Sequence, residues 1–339
     1  MTTTCLAAEW EQQSGVLLSW PTQATDWRGN LAEAEATYLE LTRHIAQICH
    51  VYICCSDSTT RSHVQQLCNH QGIPAERYDL FTIPYDDTWT RDYGPISIRR
   101  NNQLVWLDFE FNAWGNKFAH QHDNQLTRLL HQHFSHIRTI NHINFVLEGG
   151  SIDSDGKGSL LTTSQCLLDD ARNPSLSKVQ IEEKLKSYLG IQRILWLDHG
   201  HLEGDDTDAH IDTLARFCSP DTITYVQCTD PTDPHFESLS AMETQLKSFS
   251  QLQGQAYNLI PLPLPTACFN QSGQRLPATY ANFLVLNGHV LAPVYGVDTD
   301  SPALAQLQQC FPDYNIIPVQ CRPLTEQFGS LHCITMQML

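Results

Sequence analysis

The sequence predicts an α/β protein assembled from one repeated strand–strand–helix–strand unit. Three observations carry this prediction. Pairs of β-rich runs recur around tight turns. Each pair is followed by a stretch with helical spacing, and each such stretch by another short apolar run.

The first pair is "ISIRR-NN-QLVWLDF", turning at Asn101 and Asn102. The second is "GSIDS-DGKG-SLLTT", turning near Asp155 and Gly156. The third, "TLARFC-SPD-TITYVQC", turns at Ser219 to Asp221. The fourth, "ANFLVL-NG-HVLAPVYG", turns at Asn287 and Gly288. Asn-Gly and Asp-Gly between alternating runs are strong hairpin signals.

The helical stretches are "NQLTRLLHQHF", "SKVQIEEKLKSYLG", "ESLSAMETQLKSFS" and "SPALAQLQQCF". Apolar residues recur in them at spacings of three and four, with polar residues between. The closing strands are "INFVL", "RILWL", "AYNLIPL" and "NIIPV". A split fifth copy is available from "GVLLSWP", the helix "LAEAEATYLELTRHIAQI" and "HVYICC", if "SLHCITMQ" supplies its missing strand. Units of this kind pack radially, as propellers do, and leave few exposed edges. An open mixed sheet uses the same elements.

Length admits two domains or one large closed domain; the recurring unit favours a single domain over residues 1–339. The net charge of −17 argues against nucleic acid or an anionic membrane as partner; it favours a cationic ligand only weakly, since an acidic soluble surface accounts for most of it. No apolar run is long enough to span a bilayer. The N-terminus has no basic start followed by an apolar stretch, so a cytoplasmic location is expected. The 12 cysteines then read as reduced thiols, and without a CxxC pair they do not suggest a zinc site.

The segments preceding the first strand of each unit are polar: "DDTWTRDYGP", "LEGG", "GDDTDAHID", "LPATYAN" and "SLHC". In a ring of repeats Asp92, Glu148, His210, Asp212, Asn282 and Cys333 converge at the axis. If "HID" is extended, His210 and Asp212 point to one side, with Asp206 and Asp208. A metal site on His199, His201, His210 and these aspartates is the competing reading, but no HExxH-type spacing supports it. A histidine paired with a carboxylate fits better. His332 is expected to pack behind the site, since neighbours in a strand face opposite ways.

Long stretches of the chain are similar to a known family: "AEWEQQSGVLLSWP", "DDTWTRDYGP", "FNAWGNKF", "LEGGSIDSDGKGSLLTT", "ARNP", "TDAHIDTLARF", "YANFLVLNGHVLAPVYG" and "LHCITMQ". The chain resembles the agmatine deiminase family, which includes bacterial peptidyl-arginine deiminases. The resemblance implies the pentein fold, a five-bladed α/β ring of ββαβ units around a polar channel. It implies Cys333 as nucleophile, His210 as general acid and base, and Glu148 beside it. Asp92 and Asp212 match the carboxylates that hold the guanidinium. Trp89 and Trp114 match aromatics on the substrate side, where Asn282 is also expected. The implied reaction is hydrolysis of agmatine to N-carbamoylputrescine and ammonia, and a homodimer is implied as well. The chain departs from the family pattern at Ala209, Thr213, Phe328, Ser330 and Met336.

This residue set suits the chemistry. A guanidinium is a poor electrophile, and a thiolate divides its hydrolysis into two easier steps. Two carboxylates match the fork of a planar cation and fix its plane. Confined without a ligand, they repel each other, so at least one pKa should rise. No metal or organic cofactor has a role in this scheme. The rival functions are deimination of another guanidine such as peptidyl-arginine, amidino transfer, metal-dependent hydrolysis, and non-catalytic binding of a cation.

Overall fold

The hairpins form where the asparagine and glycine signals stand. The computed structural model describes residues 4–134, 137 and 139–339. Asn101 and Asn102 have φ of 51° and 61°, and Asn287 and Gly288 have 44° and 82°. Two central residues with positive φ give a turn whose twist matches that of the strands it joins.

In chain order the first strands are β1 (Thr4–Leu6), β2 (Gly15–Ser19), β3 (His50–Cys55), β4 (Tyr78–Thr82), β5 (Ile96–Arg100), β6 (Gln103–Glu110) and β7 (Thr139–Val146). Then follow β8 (Ile152–Ser154), β9 (Ser159–Thr163), β10 (Arg193–Leu197), β11 (Ala215–Ser219), β12 (Thr222–Gln227) and β13 (Asn258–Pro263). The last are β14 (Leu284–Leu286), β15 (His289–Val294), β16 (Asn315–Gln320) and β17 (Met336–Met338). They make five separate sheets, ordered β1-β5-β6-β7, β10-β9-β8, β11-β12-β13, β14-β15-β16 and β17-β2-β3-β4. Each sheet contains an antiparallel pair extended by a parallel strand. The architecture is a mixed α/β fold of five like units, and among the described residues no sheet closes on itself.

A parallel partner requires a crossover, and the amphipathic helices supply it. Helix Leu31–Ile48 buries Ala34, Tyr38, Leu41 and Ile45; helix Lys178–Leu189 buries Ile181, Leu185 and Leu189. The latter starts with a capping box between Ser177 and Gln180 and ends at Gly190, φ 71°. Helices Ser58–His70, Asp123–His131, Phe236–Ser248 and Asp300–Cys310 occupy the remaining crossovers. Sequence reading did not anticipate β1, helix Ser58–His70 or β4, which enlarge the two sheets nearest the N-terminus.

The split fifth unit assembles. β17 pairs antiparallel with β2, in the register Met336–Leu17, Gln337–Val16 and Met338–Gly15. The expected strand over residues 330–337 is shorter than anticipated, because residues 331–334 form a turn. The backbone N–H groups of His332 and Cys333 donate to Asn282 Oδ1 (2.8 and 3.3 Å) instead of to a ladder.

The polar segments fall at one place in every unit. Thr90–Tyr93 is a single helical turn before β5. Gly149–Ser151 is a turn before β8, and Ile211–Thr213 a turn before β11. Asn282 stands just before β14, and Cys333 just before β17. These turns bring the candidate residues inward, where all six are buried.

Candidate active site

Gly150 shows how closely the site is drawn together. A Cβ on Gly150 would lie 2.6 Å from His210 Nδ1, 2.8 Å from Asp92 Oδ1 and 3.1 Å from Asp212 Oδ2. Residues separated by more than a hundred positions crowd one backbone atom, which glycine alone leaves room for.

Asp92 is held on both oxygens. Gly150 N–H donates to Oδ1 at 2.9 Å, and Trp114 Nε1 donates to Oδ2 at 3.0 Å. Burial, with repulsion from Asp212 and Glu148, pushes Asp92 up to about 6 against the pull of His210. The expected rise of one carboxylate is therefore present, with burial as its first cause. Asp212 behaves oppositely. Burial opposes its ionisation, but the hydrogen bond and charge of His332 hold it below the usual value. Its Oδ2 meets His332 Nδ1 at 2.7 Å, and its Oδ1 has no partner among the described residues.

His210 Nδ1 lies 3.6 Å from Asp92 Oδ1. Burial alone would lower its pKa; Asp92, then Cys166 and Glu148, outweigh this and hold the imidazole well above its ordinary value. His210 and Asp212 do not meet through strand alternation as expected. His210 has φ −52° and ψ 138°, and the helical turn Ile211–Thr213 that follows brings Asp212 round beside it. Asp208 departs from that row: with φ 67°, it accepts from Arg172 Nη1 (2.9 Å) and Lys117.

Cys333 sits in the turn rather than in a strand. Asn282 Nδ2 is 3.2 Å from its sulfur, and Asp212 Oδ2 is 3.9 Å away. Asn282, expected on the substrate side, carries the thiol and the turn that bears it. Burial, then Asp212 and Asp92, push the thiol well above its ordinary pKa. The alternation argument for His332 fails, since it shares a turn with Cys333, and its ring binds Asp212 directly.

A cleft opens over Cys333 and Asp92, walled by Trp89, Trp114, Phe118 and Phe328. Asp26, Asp87 and Asp206 also line it. Burial first, then neighbouring aspartates, push Asp87 up to about 7 and Asp206 up to about 6. Backbone strain concentrates here. Apart from the hairpin asparagines, the non-glycine residues with positive φ among the described residues are Ala113, Trp114, Asn116, Asp208, Ala209 and Phe328. Left-handed backbone costs an L-residue about 1–2 kcal/mol. The turn at 113–116 is clamped by Asn112, whose Oδ1 accepts from Gly115 N–H (3.0 Å) and whose Nδ2 donates to Ala171 O (2.9 Å). That clamp is what delivers the Trp114 indole to Asp92.

Sequence reasoning gave no role to Arg172, although "ARNP" was among the stretches singled out. Its side chain is fully buried; Nε donates to Glu148 Oε1 (2.8 Å) and Nη2 to Thr207 O (2.9 Å). It ties Glu148 to the loop that carries His210. The metal-type donors of Glu148, Cys166 and His210 gather within 4.8 Å. The rival set fares differently: His199 and His201 are exposed, and His201 Nδ1 meets Ser238 Oγ at 3.0 Å.

Residues 5–338 match the family profile of Porphyromonas-type peptidyl-arginine deiminases. The chain belongs to that family. A Vibrio parahaemolyticus protein provisionally named an agmatine deiminase is 37% identical, over 98% of this chain and 95% of its own length. The solved structure of a provisionally named arginine deiminase from Porphyromonas gingivalis is 44% identical, with a TM-score of 0.92 and 98% of each chain covered. The agmatine deiminase of C. jejuni, solved as a cysteine-to-serine variant with substrate bound, is 36% identical with a TM-score of 0.92, covering 99% of this chain and 96% of its own. In this member of the family the buried thiol, histidine and carboxylates lie in one cluster. No helix among the described residues is long and apolar enough to cross a membrane.

Proposed function

We propose that this chain hydrolyses the guanidinium of agmatine to N-carbamoylputrescine and ammonia through a covalent adduct on Cys333. The observation that carries the reading is the meeting of His210, Asp92 and Asp212 around Gly150, with Cys333 against Asp212. In the same reading the five sheets are blades of one pentein domain over residues 1–339, acting on a small cationic guanidine in the cytoplasm.

Asp92 and Asp212 grip the planar cation, and Trp89 and Trp114 flank its alkyl chain. The bound charge offsets the two carboxylates that hold the thiol proton on, so Cys333 ionises and releases that proton to solvent. The thiolate adds to the guanidinium carbon. Protonated His210 gives its proton to one –NH2 group, the C–N bond breaks, and ammonia leaves. A thiouronium remains on sulfur. His210, now neutral, takes a proton from water, the hydroxide adds to the same carbon, and the C–S bond breaks to return the thiolate. The remaining proton leaves and the ureido product is formed. Glu148, fixed by Arg172, supports the positive charge on His210.

The test is ammonia and ureido release from agmatine, arginine and a peptidyl-arginine substrate. Turnover of agmatine that vanishes in Cys333→Ala supports the reading; unchanged turnover in that variant ends it. The ring-walled cleft favours a slim substrate over a peptide.

A further inference from the structure

We infer that His332, seated by Glu9 and Arg216, is the positioning residue for Asp212, so that the N-terminal segment "AEWEQQSG" serves the grip on the substrate cation. The inference rests on the reading that Asp212 holds a guanidinium.

The ring of His332 spans two carboxylates, one nitrogen to each. Nδ1 lies 2.7 Å from Asp212 Oδ2, and Nε2 lies 3.0 Å from Glu9 Oε2. Glu9 is itself fixed twice. Its Oε2 pairs with Arg216 Nη2, and its Oε1 accepts from Val285 N–H at 2.9 Å. Arg216 is anchored in turn: Nη1 donates to Phe283 O at 3.0 Å, the guanidinium lies over the Phe283 ring, and Nε is 3.5 Å from Asp153 Oδ2. Glu9, His332, Asp212, Arg216 and Asp153 are all buried. A chain of ionisable groups this deep is retained only where each member is partnered.

Two consequences make this more than packing. Asp212 is held through one oxygen, which leaves Oδ1 buried and without a hydrogen-bond partner among the described residues. A buried carboxylate oxygen left open, on a group whose other oxygen lies 3.9 Å from the thiol, is free to take an N–H from a bound cation. Moreover, His332 and Cys333 are adjacent in one turn, and both backbone N–H groups hang on Asn282 Oδ1. The turn that aims the sulfur therefore also aims the carboxylate that sets the plane of the cation. Outer partners of this type, when removed, cost about 10–100-fold in analogous sites.

The experiment compares His332→Asn, His332→Gln and Glu9→Gln in the full-length chain. An Asn amide nitrogen takes the place of Nδ1 and keeps the contact to Asp212, whereas a Gln amide nitrogen takes the place of Nε2 and keeps the contact to Glu9. Positioning predicts that His332→Asn keeps KM for agmatine within about threefold, while His332→Gln raises it about tenfold or more with a smaller change in kcat. Glu9→Gln falls between them. Equal effects of Asn and Gln, or losses in kcat with KM unmoved, overturn the inference. Iodoacetamide alkylation of Cys333, and its protection by millimolar methylguanidine, reads the same order without turnover. It also separates a misfolded variant, which offers no protection and an altered melting curve, from one with a loosened Asp212. A wild-type chain that alkylates normally but releases no ammonia from any guanidine sinks the functional reading instead.

Discussion

The sulfur of Cys333 stands 3.9 Å from Asp212 Oδ2, so thiol and carboxylate share one face of the site. In the proposed reaction the grip and the attack are nonetheless separable, because Asp92 and Asp212 are held by Trp114, Gly150 and His332. Cys333→Ser should therefore bind agmatine with near wild-type affinity in calorimetry. Ammonia release should fall at least about 10³-fold.

Protonation divides the pH range in two. Asp92 is pushed up to about 6, so below that value it gains a proton and can no longer accept both N–H groups; kcat/KM should fall as pH drops through about 6. Stability should move the other way. Asp87 and Asp153 are pushed up to about 7, and Asp92 and Asp206 to about 6. Each has a folded value above its unfolded one, so its contribution is full below the unfolded pKa and is lost as pH rises through the folded one. The melting temperature without ligand should climb as pH is lowered from 8 towards 5. It should fall again below the usual carboxylate range, where Asp212 and Glu9 lose the charges that pair them. A flat melting profile between pH 5 and 8 would contradict this.

Phe328 holds φ 64° at the wall of the cleft, next to Gly329, where a Cβ would strike the Trp89 ring at 2.2 Å. A bulky residue keeps such a backbone only under constraint. Phe328→Gly should raise or preserve the melting temperature while letting bulkier, N-substituted guanidines turn over relatively faster, measured as a ratio of kcat/KM values. Ala209, φ 62°, isolates the strain alone: Ala209→Gly should stabilise the fold by about 1 kcal/mol in urea unfolding.

Arg172→Met removes the partner of a fully buried carboxylate. Breaking such a pair costs about 3–5 kcal/mol, and Glu148→Gln in the same chain should return part of the loss. A double-mutant cycle in denaturant measures the coupling.

Much of this was legible because local chemistry dictates it. Asn101–Asn102 and Asn287–Gly288 specify turns by their own backbone preferences. The apolar spacing in Leu31–Ile48 specifies a helix over the observed bounds. The candidate residues could be named since they precede the first strand of each unit. What stayed hidden depends on long-range partners. Cys333 and His332 read as a strand by composition, yet the Asn282 side chain claims their N–H groups and bends them into a turn. His210 and Asp212 read as extended neighbours, yet a helical turn intervenes. Arg172 and Glu9 lay inside quoted motifs, but no spacing rule pairs Glu9 with His332 across 323 positions.

The pairing of β17 with β2 has a further meaning for biosynthesis. While the polypeptide is still emerging from the ribosome, β2, β3 and β4 can fold against their helices, but β2 waits with one side unsatisfied, a template for wrong partners. The sulfur and its neighbouring imidazole arrive almost together with the three residues that seal that side. The candidate site is thus completed at the same moment as β2 gains its cover.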